Sequence, residues 1–463
     1  MDRDLEPDED PWSPEHAVYS PGLFSAERDL ARGLARLLEG EPVAPLANAT
    51  DLARAEEAAG VTLGTHQREA VLRLLASPVG VLTGGPGVGK TTIVRFVASL
   101  AESAGAKVLL ASPTGRAAKR LTEATGREAS TVHRLLKFQP ANGSFEKNQD
   151  DPLEAGVVLV DEISMLDVAL ARRLVDAVES PTRLLLVGDP DQLPSVGPGN
   201  VLADLISSGE VPVARLTEIY RQARESLIVE NAHQILHGEQ PRLPAKGQLG
   251  SDFYFFPCED AAETARLTVD VVTRRVPETF GLDWTRDVQV IAPMYRGECG
   301  VDALNELLRE AQGVGGREVA QGSLKWRVGD RVIQTRNDYD REVFNGDMGR
   351  IIEVSPEGEV TVRFPEQNVV YTNAGLSDLM PAYAITVHRS QGGEFPGVVI
   401  PLVTGHRMML QRNLLYTAIT RARKLVVLVG SRRALTMAVE RADQAHRRSA
   451  LARRLRDELR GAN

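Results

Sequence analysis

The sequence predicts an α/β protein in which mainly parallel sheets are covered by helices on both faces. Three observations support this fold class. An apolar run at residues 79–83 leads through a glycine-rich loop into an amphipathic segment, which is the order of a strand, a loop and a helix. Further short apolar runs alternate with helical patterns along the chain. Several of these runs end in polar residues, which places ligand groups at the carboxyl ends of parallel strands.

Length and composition narrow the class of protein. A chain of 463 residues suggests about three domains, and its 43% hydrophobic and 25% charged residues are typical of a globular protein. Cys258 and Cys299 form neither a metal-ligand spacing nor a disulfide framework, so we expect a reducing cytoplasm. No apolar run is long enough to cross a bilayer, so we expect no membrane partner. The net charge of −9 argues against a protein that coats nucleic acid, but it is compatible with a narrow basic channel.

The loop that follows residues 79–83 has the pattern G-x-x-x-x-G-K-T, from Gly84 to Thr91. Its glycines let backbone N–H groups surround a phosphate, and the start of the next helix adds partial positive charge. Lys90 can reach the β- and γ-phosphates of a nucleotide, and the Thr91 hydroxyl can bind Mg²⁺. The alternative is a structural glycine turn, which so full a match makes improbable. The candidate nucleotide-binding residues of the loop are Gly85, Pro86, Gly87, Val88, Gly89, Lys90, Thr91 and Thr92.

Two later strands are predicted to carry polar groups to the same sheet edge. The run 157–160 ends in Asp161 and Glu162, which suit a Mg²⁺ ligand and a group that polarises the attacking water. An acidic strand cap is the alternative, but it is a poor explanation beside a phosphate loop. The run 183–187 leads to Gln192, whose amide could contact the γ-phosphate.

Other stretches predict accessory parts of the fold. Helical spacing at residues 24–38 and 51–60 indicates a small N-terminal helical region. Phe138 and Phe145 bracket Asn142-Gly143, a strong hairpin signal, and the hairpin is either a wedge against a duplex or a surface loop. Short alternating runs at 326–371, separated by turns, predict a small all-β insertion of barrel-like form. The basic C-terminal end is better explained as a solvated helix face than as a nucleic-acid patch.

Several single residues carry weaker signals. Gln67, shortly before the phosphate loop, could read adenine with one donor and one acceptor. Pro113, Thr114 and Arg116 follow a predicted strand and suit either contacts with a phosphate backbone or a helix cap. Arg221 and Arg421 are candidates for arginine fingers, although an isolated arginine in a helix is usually a surface residue.

Together these stretches resemble a superfamily 1 helicase over residues 62–432, and in detail the RecD-like members of the branch that moves 5′ to 3′. The resemblance rests on five ordered motifs: Gly84–Thr91, Val160–Ser164, Gly188–Pro194, Thr386–Phe395 and Tyr416–Arg421. It implies the roles of several residues. Lys90, Glu162, Gln192, Arg221 and Arg421 would be catalytic, with both arginines at the γ-phosphate. Gln67 and Tyr220 would hold adenine, Glu394 would contact ribose beside Gly392, and Thr91 and Asp161 would hold Mg²⁺. The single-strand track would comprise Pro113, Thr114, Arg116, His133, Thr386, His388, Arg389 and Ser390, with Arg389 where relatives often carry lysine.

The resemblance also implies an architecture of two RecA-like P-loop domains with a β-hairpin insertion and a small SH3-like β-barrel insertion. The expected divisions are 1–62 as an N-terminal helical remnant or linker, 63–207 as domain 1A with the hairpin 1B at about 137–155, 208–324 with 382–435 as domain 2A, 325–381 as the barrel 2B, and 436–463 as a basic C-terminal helix. The expected cofactors are ATP and Mg²⁺. The expected partners are single-stranded DNA and its junctions with duplex, and we expect a monomer.

The resulting hypothesis is an ATP-dependent motor that moves 5′ to 3′ on single-stranded DNA and unwinds duplex, in DNA repair or recombination. Three alternatives stay open at this point. A P-loop phosphotransferase would not be stimulated by single strands. A nucleotide-gated binding module would grip DNA or a protein without unwinding. An RNA helicase of the same superfamily would prefer RNA in ATPase assays.

Overall fold

The computed structural model describes residues 19–40, 44–218, 225–244, 250–313, 317–322, 324–442, 447 and 449–461. In chain order the strands are β1 Val79–Thr83, β2 Val108–Ser112, β3 Ala129–Thr131, β4 Phe138–Gln139, β5 Ser144–Phe145, β6 Val157–Val160, β7 Arg183–Gly188, β8 Val213–Arg215, β9 Phe253–Pro257, β10 Val288–Ala292, β11 Glu318–Gln321, β12 Leu324–Arg327, β13 Arg331–Gln334, β14 Met348–Val354, β15 Val360–Arg363, β16 Asn368–Tyr371, β17 Leu379–Pro381, β18 Ala384–Thr386, β19 Phe395–Leu402 and β20 Ala422–Gly430. Most strands are short, and central strands of the two parallel sheets, such as β1, β6, β7, β10 and β19, are almost wholly buried.

Helices connect these strands and cover the sheets. The α-helices are Pro21–Leu38, Ala49–Ala59, Thr65–Ala76, Lys90–Ser103, Gly115–Thr125, Val132–Leu135, Val168–Asp176, Val201–Ser208, Leu227–Leu236, Ala261–Asp270, Val276–Phe280, Val301–Gln312, Val387–Ser390, Arg412–Ile419, Arg432–Glu440 and Leu451–Gly461. A π-helical turn, Val271–Arg275, joins two of them, and short 3₁₀ turns lie at Ile163–Met165, Gly375–Asp378 and Thr404–His406. None of the helices in these described ranges is both long and apolar enough to cross a membrane.

The first half of the chain forms a six-stranded parallel sheet in the order β3-β2-β6-β7-β1-β8. Strand β1, which feeds the phosphate loop, lies inside this sheet between β7 and β8. Since neighbouring parallel strands end at one edge, the residues after β1, β2, β6 and β7 converge there. The core on either face is formed mostly by valine and leucine, and a buried parallel sheet requires apolar residues on both faces.

The second half repeats this plan with a five-stranded parallel sheet, β18-β10-β19-β20-β9. The strands β10, β19 and β20 are those that apolar runs in the sequence predict. Strand β9, Phe253–Pro257, is an edge strand that the sequence analysis did not single out. The two parallel sheets confirm the predicted α/β fold class.

The all-β insertion is a five-stranded antiparallel sheet, β16-β15-β14-β13-β17, preceded by the hairpin β11–β12. Trp326 and Tyr371 are fully buried in its own small core. The predicted hairpin is also present as β4–β5. Its turn has Gly143 at φ +67°, and the rings of Phe138 and Phe145 pack with centroids 5.0 Å apart. Both insertions of the predicted fold class are therefore confirmed.

The terminal helices pack on the first half of the chain. Helix Pro21–Leu38 buries Leu30, Leu34 and Leu37 against the first-half core, and helix Leu451–Gly461 packs beside it. The buried Glu27 carboxylate accepts hydrogen bonds from Ser449, the Ala450 N–H and Arg454. The C-terminal helix therefore buries Leu451 and Leu455 on one face and exposes basic residues such as Arg453 and Arg460. The expected domain boundaries stay predictions.

Candidate functional site

The phosphate loop has the backbone that its glycines predict. Gly87 and Gly89 have φ +74° and +87°, the left-handed region in which glycine is unstrained. Gly89 is also the residue from which helix Lys90–Ser103 begins. The Lys90 ammonium donates to the Gly84 and Gly85 carbonyls, the latter at 2.8 Å, and so lies inside the loop. Helix start, loop N–H groups and ammonium therefore form one anion-binding concavity.

Asp161 and Glu162 follow β6 at the same sheet edge. Burial, with the neighbouring charge of Glu162, raises the pKa of Asp161 to about 6, whereas Lys90 and Arg120 oppose that rise. Glu162 adopts φ +57°, a conformation that costs a non-glycine residue about 1–3 kcal/mol. Its N–H donates to Asp161 Oδ1 at 2.8 Å, which holds the turn. Strain of this kind is typical of functional sites, because it directs a side chain to a position that an unstrained backbone would not give it.

These groups also fit a divalent cation. A buried carboxylate whose charge is not fully compensated is a favourable hard-oxygen ligand, and the hydroxyl of Thr91 begins the adjoining helix. No cluster of three or more His, Cys, Asp or Glu side chains suited to a metal occurs in the part of the chain that the structure describes. Mg²⁺ held by one or two protein ligands and by substrate phosphates is consistent with that donor set.

Arg421 lies where the two halves of the chain meet. It is 3% exposed, and its Nη2 donates to Oε1 of Gln192 at 3.0 Å across that boundary. Gln192 in turn donates to Asp189 Oδ2 at 3.2 Å, and the Tyr416 hydroxyl donates to the same oxygen at 2.6 Å. The predicted γ-phosphate amide and one predicted arginine finger are thus in direct contact. Tyr220 and Arg221 lie outside the described residues.

Glu162 lies between two guanidinium groups. Its Oε1 is 3.9 Å from Nη1 of Arg421 and 3.6 Å from Nη1 of Arg120. Arg120 also binds Oε1 of Glu394, whose other oxygen accepts from Arg423 at 2.8 Å. Although burial alone would raise it, these two arginines hold the pKa of Glu394 below its usual value. One chain of alternating charges therefore connects the strand end of the first half to the motif at Thr386–Phe395.

Gln67, predicted to contact adenine, forms hydrogen bonds with backbone groups of the protein. The Gln67 side chain is buried, accepts from the Gly64 N–H at 3.2 Å and donates to the Val88 carbonyl at 3.3 Å. Its amide therefore supports the phosphate loop, and its role toward adenine stays a prediction.

Gly392, also predicted to bind the nucleotide, has φ +70°, and a Cβ there would lie 2.6 Å from Thr114 Oγ1. Only glycine allows that close approach of the two halves.

The candidate strand-track residues collect at the ends of parallel strands of both sheets. Thr114 and Thr386 each cap a helix, accepting from Ala117 N and Arg389 N at 3.3 Å. Their hydroxyls therefore serve as helix caps, one of the two interpretations that the sequence left open for Thr114. His133 packs against Phe138 with ring centroids 5.5 Å apart, which places it beside the hairpin. Pro113 is half-buried next to Thr114.

The remaining members of this set make contacts within the protein. Arg116 lies with its Cζ 4.9 Å from the centroid of the Phe395 ring, and burial lowers its pKa to about 10. Arg389 Nε donates to the Tyr295 hydroxyl at 2.8 Å, and burial lowers the pKa of His388. Ser390 is fully buried and donates to the Val387 carbonyl. Arg116 and Ser390 thus face protein, and their contact with a strand stays a prediction.

The sequence analysis missed four residues of the site. Arg120 joins Glu162 to Glu394, and Asp189 and Tyr416 complete the Gln192 network. His233 lies against the phosphate loop, since a Cβ on Gly85 would be 3.2 Å from its Cε1. Arg120 had a usable signal, because it follows Arg116 by four residues and so shares its helix face. The other three depend on contacts between distant segments, which no local pattern reveals.

Comparisons with known proteins agree with this geometry. Residues 62–250 match the family model described as an AAA domain, 302–364 an ATP-dependent RecD-like DNA helicase SH3 domain, and 381–429 a UvrD-like helicase C-terminal domain. The chain is 41% identical over 445 residues to the ATP-dependent RecD2 DNA helicase of Deinococcus radiodurans, covering 96% of this chain. It spans 59% of the length of that relative.

A second relative is covered more fully. The RecBCD enzyme subunit RecD of Mycolicibacterium smegmatis is 35% identical over 423 residues, which are 84% of this chain and 75% of the relative. Among solved structures, a Bacteroides Pif1 helicase in complex with ADP-AlF3 and single-stranded DNA matches with a TM-score of 0.50 and 18% identity. That match covers 83% of this chain and 96% of the other, and it shows a shared fold.

Proposed function

Because the chain belongs to the RecD family of DNA helicases, we propose that it is an ATP-driven motor that moves 5′ to 3′ on single-stranded DNA and unwinds duplex ahead of it. The relatives named above are described as DNA helicases or as a subunit of a DNA-processing enzyme. We propose the same substrate class here, in DNA repair or recombination in the cytoplasm. The polarity rests on family membership alone.

The observation that carries the proposal is the contact between Arg421 and Gln192 across the two halves. A P-loop alone is compatible with many reactions, since kinases and other phosphotransferases also contain one. A buried guanidinium from a second domain, aimed at the γ-phosphate side of the first, is what a motor needs to sense that phosphate. This contact therefore favours a motor over a P-loop phosphotransferase.

The residues of the site divide the work of hydrolysis. Lys90 and the loop N–H groups would bind the phosphates of ATP, and Thr91 with Asp161 would hold Mg²⁺, which neutralises phosphate charge when bound. Glu162 would orient and polarise the attacking water. Arg421 would leave Gln192 to meet the charge that develops on the γ-phosphate. Glu162, Gln192 and Arg421 already lie at the boundary between the two halves.

Movement would follow from the difference in affinity of each ligand for open and closed forms. ATP would draw the halves together because Arg421 of the second half and Lys90 of the first bind the same phosphates. Loss of the γ-phosphate removes that bridge, and the halves separate. The strand would be gripped mainly through its phosphates, so binding should weaken with salt and depend little on sequence.

Partial duplexes that carry either a 5′ or a 3′ single-stranded tail test the proposal directly. With ATP and Mg²⁺ we expect strand displacement from the 5′-tailed duplex alone, measured as separation of a labelled strand. Lys90→Ala is the control, and it should displace nothing while still binding single strands. Displacement from the 3′ tail would refute the polarity. Binding of single strands without displacement from either duplex would favour a nucleotide-gated binding protein. Stronger stimulation of the ATPase by RNA than by DNA would favour an RNA helicase.

The number of chains in the working enzyme is part of the same proposal. We propose that it works as a monomer, because one chain supplies both Lys90 and Arg421 to the site. Light scattering of the protein with and without single-stranded DNA measures this. A stable dimer that alone unwinds would contradict it.

A further inference from the structure

Arg120 is a residue of the site to which neither the sequence motifs nor the proposed hydrolysis step assigns a role. It lies on helix Gly115–Thr125, one turn after Arg116. Its guanidinium contacts three groups: Glu162 Oε1 at 3.6 Å, Glu394 Oε1, and the Gly392 carbonyl at 3.4 Å. It is 29% exposed and therefore retains much of its attraction to Glu162.

The helix of Arg120 touches the strand-track candidates at its other end. Thr114 caps this helix, and the close approach of Thr114 to Gly392 leaves no room for a side chain at that glycine. Arg116 lies over Phe395 and so close to Gly393 that a Cβ there would be 2.5 Å from its Cζ. Residues 392–395 follow helix Val387–Ser390, which carries further track candidates. A shift of either track segment would therefore move Arg120 as well.

The contact with Glu162 has a defined chemical consequence. While Glu162 Oε1 is paired with the Arg120 guanidinium, it is less available to accept a hydrogen bond from the attacking water. The affected oxygen is Oε1, which also lies 3.9 Å from Arg421. ATP would engage Arg421, whereas Arg120 belongs to the helix whose first turn carries Arg116 and whose N-cap is Thr114, two of the strand-track candidates. A strand in the predicted track would meet this helix at that first turn.

We propose that Arg120 is a positioning residue that restrains Glu162 until a nucleic-acid strand occupies the track beside its helix, and so makes ATP turnover depend on the strand. This inference rests on the proposed function, because it assigns to Arg120 the coupling between the two ligands of that motor. Glu394 anchors Arg120 in the restraining position through the second arm of the guanidinium.

Steady-state ATPase kinetics of the full chain, with and without saturating oligo(dT), test this inference. In Arg120→Gln we expect the DNA-free kcat to rise by about three- to tenfold, the effect that one partly exposed ion pair can supply. The kcat with saturating oligo(dT) and the KM for ATP should stay within about twofold. Arg120→Lys keeps a positive charge and should remain near the unaltered protein. Arg120→Met, which keeps the side-chain length, is the second variant and should behave as Arg120→Gln.

Arg127→Gln is the matched control. Arg127 follows the same helix, is 26% exposed and pairs with Glu102 at 2.6 Å, away from the contact with the second half. It should change neither rate. Equal losses of kcat with and without oligo(dT) in the Arg120 variants would assign Arg120 to domain closure and overturn the inference, as would an unchanged DNA-free rate. An unaltered protein whose ATPase ignores single strands would refute the proposed motor as well.

Discussion

Replacing Arg421 by alanine should reduce catalysis far more than stability. In the structure its guanidinium donates to Gln192 Oε1 at 3.0 Å, the Thr417 carbonyl at 3.2 Å and the Gly393 carbonyl at 3.3 Å. Losing partners for buried acceptors costs about 1–3 kcal/mol of folding free energy. No carboxylate is left without a cation, because Glu162 keeps Arg120.

The expected catalytic effect is larger than that structural cost. An arginine that stabilises the γ-phosphate in the transition state is worth about 10³- to 10⁵-fold in kcat, or about 4–7 kcal/mol. Arg421→Ala should therefore lose at least about a thousandfold of the strand-stimulated kcat while it remains folded and binds ATP. Arg421→Lys should recover little, because one ammonium cannot replace the planar donor set.

The assay is ATP turnover with saturating single-stranded DNA, accompanied by thermal unfolding and by binding of a fluorescent ATP analogue. Arg412→Ala is the control for lost structure. Arg412 starts helix Arg412–Ile419, which ends two residues before Arg421, and it donates to the carbonyls of Val439, Leu236 and Glu440. It should lower the melting temperature to a similar degree and leave kcat within about threefold. If Arg421→Ala kept more than a tenth of the kcat, the sandwiched-nucleotide account would be refuted.

Three further predictions concern other parts of the molecule. Glu162→Gln should bind ATP normally and hydrolyse it at least about a hundredfold more slowly, since an amide cannot accept the proton of water; normal turnover would remove its assignment. Shortening the hairpin between Phe138 and Phe145 should impair strand displacement more than strand-stimulated ATPase, and equal loss of both would argue against a wedge. Glu27→Ala should destabilise the protein by about 2–4 kcal/mol in denaturant titrations, because the carboxylate is buried and Arg454 would lose its partner; a change below about 0.5 kcal/mol would show that the terminal helices contribute little.

The sequence predicts those parts of the fold that have a local period or a local turn. Buried parallel strands such as β1 and β6 are continuous apolar runs, and the hairpin has Asn142-Gly143 at its turn. Strand β9 escaped prediction because it lies at a sheet edge, where Phe253 is buried and the next three aromatic residues are all half-buried, so its burial follows no alternating pattern. The packing of helix Leu451–Gly461 against helix Pro21–Leu38 was also unpredictable, because it joins the two ends of the chain.

The candidate site was predictable to the extent that its residues follow strands. Lys90, Asp161, Glu162 and Gln192 all come from strand ends of one sheet, and parallel topology brings such ends together. The contact of Arg421 with Gln192 spans 229 residues and depends on how two sheets are placed, which no local rule determines. The role of Arg421 was predicted from the family resemblance, and its contacts are seen only in the structure.

The burial of the charged groups at this boundary explains why two ligands can control one reaction. Glu162, Glu394, Arg120 and Arg421 are each less than a third exposed, so their mutual attraction is stronger than that of surface pairs. An arginine that leaves this network needs new hydrogen-bond acceptors, and a glutamate that loses its arginine needs another cation. The phosphates of ATP can replace the acceptors of Arg421, but they carry the wrong charge to replace a cation at Glu162. On the proposed coupling, nucleotide alone would free Arg421 and leave Glu162 paired with Arg120, and the strand would act through the helix of Arg120.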